Sequence, residues 1–302
     1  MGIVAPTSAA KADPTASQIQ DQIDKSAGDL EKIIEQYNRV TEEHKAAQAE
    51  ADRITADLGP LLSSLDQTSA VVGQIAASAY KGNSMSATAV LVSGSPEELI
   101  GGLSALNQLA RSNQRQLDGY AETNRSYLER KKQLDTVLAQ QAAQQADLAG
   151  QKNKIEADLD SLYAMRTKAY GSATAAPAGG YPAPPYVPGR AGIAVNYAYG
   201  ALGTPYVYAA AGDGGYDCSG LTMAAWRAAG VSLPHNAAMQ WNAMAHISRA
   251  ELQPADLVFY SGLGHVAIYV GNGQIIQASQ PGENVKISSV DMMPPYGYGR
   301  PA

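Results

Sequence analysis

The stretch YDCSGLTMAAW, residues 216–226, holds the only cysteine in the chain. Cys218 is followed by Ser219 and Gly220, and LTMAAWRAAG then continues at helical period to Gly230, a C-cap residue. The thiol therefore sits at a helix amino terminus, where free backbone N–H groups and the macrodipole favour the reactive thiolate, and a depressed pKa is expected. Asp217 and Ser219 flank the sulfur with polar groups, which suits the edge of an open site better than a core. A thiol nucleophile needs a base. GHVAIYV supplies His265 at the start of a strand whose alternation sets His265, Ala267 and Tyr269 on one face and Val266, Ile268 and Val270 on the other.

The base needs a polar group to hold its ring. VGNGQIIQAS reads as a hairpin that returns Gln277 beside His265, provided the register is right. A three-residue loop at 271–273, or a bulge, sets Ala267 opposite Gln277 and makes Gln277 a same-face neighbour of His265. A two-residue Asn-Gly turn alone would send Gln277 to the other face. Cysteine, histidine and amide together suit acyl transfer through a thioester, which either water or an amine could resolve. The other histidines are weaker candidates. His44 lies in a hydrophobic seam, His235 in a loop where a wall role is expected, and His246 has no evident partner and reads as solvated.

These residues need a scaffold, and the chain suggests two parts. A length of 302 residues with 45% hydrophobic content can bury at least one full core, and a net charge of −6 without a Lys/Arg cluster argues against nucleic acid or an anionic membrane as partner. No run of eighteen or more apolar residues could span a bilayer. The opening APTSAAKADPT ends in a cleavage-like Ala10-Lys11-Ala12 and reads as the remnant of an export signal or as an Ala-rich tail, residues 1–14. With a single cysteine, an exported chain could form no internal disulfide.

From Ile19 to Ala79 a 3-4 spaced seam runs through Ile19, Ile23, Ser26, Leu30, Ile33, Tyr37, Val40, His44, Ala47, Ala51, Ile54, Leu58, Leu61, Leu65, Thr68, Val72, Ile75 and Ala79, all apolar except Ser26, His44 and Thr68. That is a coiled-coil pattern. After KGNSMSATAVLVSGSPEE a second seam runs from Leu103 through Leu106, Ala110, Leu117, Tyr120, Tyr127, Leu134 and Leu138 to Leu148, Ile155, Leu159 and Leu162, with Asn113, Asn124, Lys131, Gln141, Gln145 and Lys152 making it polar and weakly closed. Residues 15–170 thus form an all-α antiparallel coiled-coil hairpin, each arm roughly 90–100 Å long. Pro60 is expected to kink or divide the first arm. Residues 171–190 are a Pro/Gly/Ala-rich, semi-rigid linker. Residues 191–302 carry a helix from Ala191 to Gly200, the Cys218 helix and then short β-rich runs, an α+β domain.

TPYVYAAAGDGGYDCSGLTMAAW, GVSLPHNAAMQ, LQPADLVFY and GHVAIYVGNGQIIQAS resemble the successive motifs of the NlpC-type cysteine peptidases of bacterial cell walls, over residues 191–302. The coiled coil and linker resemble the upstream region of the secreted Rip-type endopeptidases of actinobacteria. The resemblance implies a papain-like α+β catalytic domain that cleaves the D-γ-glutamyl–diaminopimelate bond of peptidoglycan stem peptides, in cell separation or wall remodelling. It makes Cys218 the nucleophile, His265 the base and Gln277 its orienting group. Tyr206 would help the Cys218 N–H to hold the oxyanion, and Asp217 and Ser219 join the oxyanion and substrate contacts. No metal or cofactor is implied, and the location implied is secreted, in the cell wall or a periplasm-like space. The chain departs from the family pattern at Tyr208–Ala210, where Trp-Gly-Gly is common, at His235, where Arg is common, and at Gln277, where His is usual.

The polar seam makes an exchangeable helix pair, so the hairpin is expected to cover the cleft or to dock on a membrane-embedded partner such as a divisome protein. A rigid stalk is the plainer alternative. For the whole chain the competing readings are a non-catalytic wall- or divisome-binding scaffold and a Cys/His acyltransferase.

Overall fold

The computed structural model describes residues 15–82, 96–175, 179–212 and 214–302. The cleavage-like segment at 1–14, the connection at 83–95 and the side chain of Ala79 lie outside the described residues. Helix α1 spans Ala16–Gly82 and α2 spans Pro96–Tyr170. Then come α3 (Gly189–Gly200), α4 (Cys218–Ala228) and α5 (Ala237–Asn242). The strands are β1 (Ala245–Ile247), β2 (Leu257–Tyr260), β3 (His265–Gly271), β4 (Gln274–Gln277), β5 (Lys286–Ser289) and β6 (Gly297–Arg300). Pro60 lies inside α1, which is not divided there as its missing N–H had suggested; the helix is one element across it.

The described residues fall into two compact units. One is His44–Gln144; the other joins the residues up to Glu43 with those from Gln145 onward. In the first, Gln141 donates to Gln48 at 3.1 Å and Arg130 lies 4.0 Å from Asp57, so the two arms run antiparallel. Among the described α1 residues of this unit, only Ala47, Ala51 and Ile54 are buried; from Leu58 on, seam residues are half-covered. The α2 seam differs from expectation. Leu103, Leu106, Leu117 and Leu138 are exposed, and Gln144 rather than Gln145 is buried. Lys131, expected in the seam, instead turns out to pair with Asp135 at 3.0 Å, because an exposed ammonium avoids desolvation.

In the other unit all six strands form one antiparallel sheet in the order β1-β6-β2-β3-β4-β5. Its two faces separate as the β3 alternation requires. Val266, Ile268 and Val270 join Leu257 and Phe259 against Leu221, Ala224 and Ala225 of α4, with Ala194, Val195 and Ala198 of α3 in the same core. Ala267 packs with Val258, Tyr260 and Ile275 on the opposite face, with Tyr269 beside them. This is the α+β domain read from the sequence.

The first part of α1 belongs to this unit too, and its buried face is broader than a coiled-coil seam. Ile23, Ala27, Leu30 and Ile34 share the domain's core with Ile155 and Leu162 of α2. Ala27 is buried where Ser26 was expected, and Ser26 is exposed. Spacings of four and three with a second stripe alongside are the pattern of a helix packed into a globular core. The linker also adheres to the domain, with Ala175 N–H donating to the Gly282 carbonyl at 2.8 Å.

Candidate active site

The thiol is positioned by the cap of α4. Asp217 is extended, and its Oδ1 accepts from Gly220 N–H at 2.7 Å, satisfying one of the free donors at the helix start. Gly220 is required there, since a Cβ would collide with the Ala210 carbonyl and crowd the His235 ring. Asp217 Oδ1 also receives His235 Nε2 at 2.8 Å, which makes His235 part of the wall. His246, exposed as expected, is not without partners: its ring stacks on Trp241 with centroids 3.7 Å apart, and its Nε2 bonds the Trp241 carbonyl.

The imidazole comes from the first residue of β3. Ile268 faces Ile276 and Tyr269 faces Ile275, which sets Ala267 against Gln277, the register expected from the sequence. The device is a two-residue turn with positive φ at Asn272 and Gly273, combined with a bulge between Tyr269 and Gly271. The extra residue restores the face that a tight turn alone would have lost. Gln277 Oε1 then lies 2.7 Å from His265 Nε2, and Gln277 Nε2 donates to Ser288 Oγ at 2.7 Å, so the amide is itself fixed. The ring presents Nδ1 to the site. The Cys218 sulfur, a ring nitrogen of His265 and a carboxylate oxygen of Glu31 all lie within 4.8 Å of one another.

Glu31, Glu35 and Asn38 were not among the sequence candidates. They stand at i, i+4 and i+7 on α1, one stripe of one helix face, and all are buried. Glu31 Oε1 meets His265 Nδ1 at 2.6 Å. Glu35 Oε1 receives Ser219 Oγ at 2.6 Å and the Cys218 thiol at 3.4 Å, while its Oε2 receives Ala237 N–H at 2.6 Å and Asn236 Nδ2 at 2.9 Å. Asn38 Nδ2 donates to Asp217 Oδ2 at 2.9 Å. Helix α1 thus fills the space in front of the thiol with two carboxyls and an amide. The open site edge expected around Asp217, Cys218 and Ser219 is instead covered, all three being fully buried.

Electrostatics follow from that cover. Burial pushes the Cys218 thiol well above its ordinary value, and the nearby Glu35, Glu31 and Asp217 add to the shift, while a backbone hydrogen bond from Val266 opposes it. The depressed thiol pKa expected from the helix start is overturned in this conformation, because desolvation and three carboxyls outweigh the dipole. Burial works against a charged His265, but Glu31, with Gln277, outweighs it and raises the ring. Burial and Asp217 raise Glu35 to about 7 against the pull of its donors. The contact with Glu31 thus favours the protonated ring, and burial favours the protonated sulfur. Tyr206 is 4% exposed, and its hydroxyl has no hydrogen-bond partner among the described residues. It lies close enough to Asp217, Glu31, Cys218 and Glu35 to feel their charges.

Comparison with known proteins places this domain. Residues 203–296 match the NlpC/P60 family. The chain is 39% identical over 129 residues to the "probable endopeptidase Rv2190c" of Mycobacterium tuberculosis, covering 39% of this chain and 32% of that protein. It is 42% identical over 87 residues to the "probable endopeptidase p60" of Listeria grayi, covering 28% of this chain and 17% of that one. The chain thus spans a third or less of the length of these curated relatives. Among solved structures, the NlpC/p60 domain of the peptidoglycan hydrolase SagA is 36% identical, covering 36% of this chain and 97% of that one with a TM-score of 0.35. The C-terminal part of the chain, residues 203–296, is an NlpC/P60 domain, and Cys218, His265 and Gln277 lie inside it.

Proposed function

We propose that the chain is a secreted cysteine endopeptidase of peptidoglycan that hydrolyses the D-γ-glutamyl–diaminopimelate bond of stem peptides, in cell separation or wall remodelling, and that α1 controls it by occupying the site. The observation that carries the reading is the ring of His265, held through Nε2 by Gln277 at 2.7 Å with Nδ1 facing the site that holds the Cys218 sulfur. In the open form Nδ1 takes the thiol proton and the sulfur attacks the scissile carbonyl. The Cys218 N–H and the unpartnered Tyr206 hydroxyl then hold the oxyanion. His265 passes its proton to the leaving amine, and water, deprotonated by the same nitrogen, resolves the thioester. Gln277 keeps the ring in place throughout.

Two features support control by α1. Glu31 engages the nitrogen that must take the thiol proton, and Glu35 covers the sulfur. The release expected is displacement of α1, and a membrane-embedded divisome protein acting on the hairpin is the partner that fits this reading. In support, the part of the hairpin in 44–144 leaves Leu103, Leu106, Leu109 and Leu117 exposed. The test is mass analysis of diaminopimelate-containing muropeptides after incubation with a Glu31→Ala/Glu35→Ala variant. Expected are fragments split between D-glutamate and diaminopimelate, absent with Cys218→Ala in the same background. Cleavage at another bond would refute the substrate assignment, and cleavage that survives Cys218→Ala would refute the nucleophile.

A further inference from the structure

We propose that, with α1 seated, Glu31, Cys218 and His265 form a zinc-binding site that locks the domain closed. The three donors come from three separate elements, α1, the start of α4 and the start of β3, and all three residues are buried. Thiolate, imidazole and carboxylate are a donor set that suits Zn²⁺, and three protein ligands with one open position match its tetrahedral preference.

The spacing is close to what the ion needs. Metal–ligand bonds of about 2.0–2.3 Å put tetrahedral donors roughly 3.3–3.8 Å apart. The donor atoms here lie within 4.8 Å of one another, and the shortest pair, Glu31 Oε1 to His265 Nδ1 at 2.6 Å, is a hydrogen-bond contact that opens by about an ångström when an ion replaces the proton. The outer shell is in place. Gln277 accepts the Nε2 proton and thereby leaves Nδ1 free as the ligand atom, and Ser288 holds the Gln277 amide. The Tyr206 hydroxyl, buried and unpartnered among the described residues, lies close enough to Glu31 and Cys218 to feel their charges. A cleft of about 370 Å³ lined by Asp24, Gly28, Glu31, His265, Gln277 and Glu283 brings open space up to two of the three ligands.

Binding replaces two protons, the one on the Cys218 sulfur and the one shared by Nδ1 and Glu31, and both leave to solvent. Only the closed conformation supplies all three ligands, since Glu31 departs with α1. Zinc therefore strengthens the seat of the helix by mass action and competes with opening. None of this depends on the reaction the domain catalyses.

The test uses the full-length protein. Calorimetry with Zn²⁺ and absorption with Co²⁺ are expected to give one ion per chain and a near-ultraviolet thiolate-to-cobalt charge-transfer band. The band is expected to vanish in Cys218→Ser. Glu31→Gln is expected to lower affinity at least about tenfold, the scale seen on weakening a metal site. Glu31→His, which restores a ligand on α1, is expected to bind within a few-fold of the parent, which separates loss of a ligand from loss of folding. Absence of the band in the parent protein, or equal zinc affinity in Glu31→Gln and the parent, overturns the proposal.

Discussion

Glu31 of α1 and His265 of β3, far apart in sequence, meet at 2.6 Å through the ring nitrogen that faces the only thiol of the chain. Glu31 occupies the ring nitrogen that would take a proton from the thiol, and burial beside Glu35 makes the thiol a weaker acid. On the proposed reading, the same geometry brings nucleophile and base together and withholds both.

Alkylation of the thiol reports the cover directly. Because burial and then Glu35, Glu31 and Asp217 raise the Cys218 pKa, iodoacetamide at pH 8.5 is expected to label the parent chain slowly, although a free thiol is about half ionised there. Glu31→Ala/Glu35→Ala is expected to label at least about tenfold faster, since it removes two of the charges and the seat of the helix. Intact-mass measurement over time gives both rates. Equal rates would show that α1 does not guard the sulfur.

Tyr206→Phe separates folding from chemistry. The hydroxyl is buried without a partner among the described residues, so its removal is expected to leave urea stability unchanged or slightly raised. In the Glu31→Ala/Glu35→Ala background it is expected to lower turnover on the order of 10²-fold, the scale for one oxyanion donor. Stability lost with turnover unchanged would give Tyr206 a structural role instead.

Gln277→Ala, in that same background, is expected to reduce turnover about tenfold, less than the roughly 10²–10⁴-fold expected for His265→Ala. Gln277→Glu is expected to retain much of the activity because it still accepts from Nε2. Steady-state kinetics on muropeptides decide this. Full turnover by Gln277→Ala would assign the orienting role elsewhere.

The domain was legible because its signals are local. The helix start at Cys218, the helical period after it and the alternation of β3 each follow from a few neighbouring residues, and a bulge near Asn272-Gly273 sufficed to bring Gln277 to the His265 face. The cover was not legible. Glu31, Glu35 and Asn38 look like ordinary solvated positions of a coiled coil, and their burial depends on packing between segments more than a hundred residues apart. Nothing in the heptad marks them, because the seam says which residues face the other arm and not which face a third body. The same limit explains the thiol: its helix start was readable, whereas the burial and the carboxyls that raise its pKa were not.

The most direct measurement is the initial rate of muropeptide cleavage by the full-length parent chain and by Glu31→Ala/Glu35→Ala, with Cys218→Ala in the second background as control. The account predicts a parent rate near background, a rate at least about tenfold higher in the double variant, the gain of one 1.4 kcal/mol step in the closed–open equilibrium, and none in the control. A parent chain already as fast as the double variant, or a double variant as inert as its Cys218→Ala control, would contradict it.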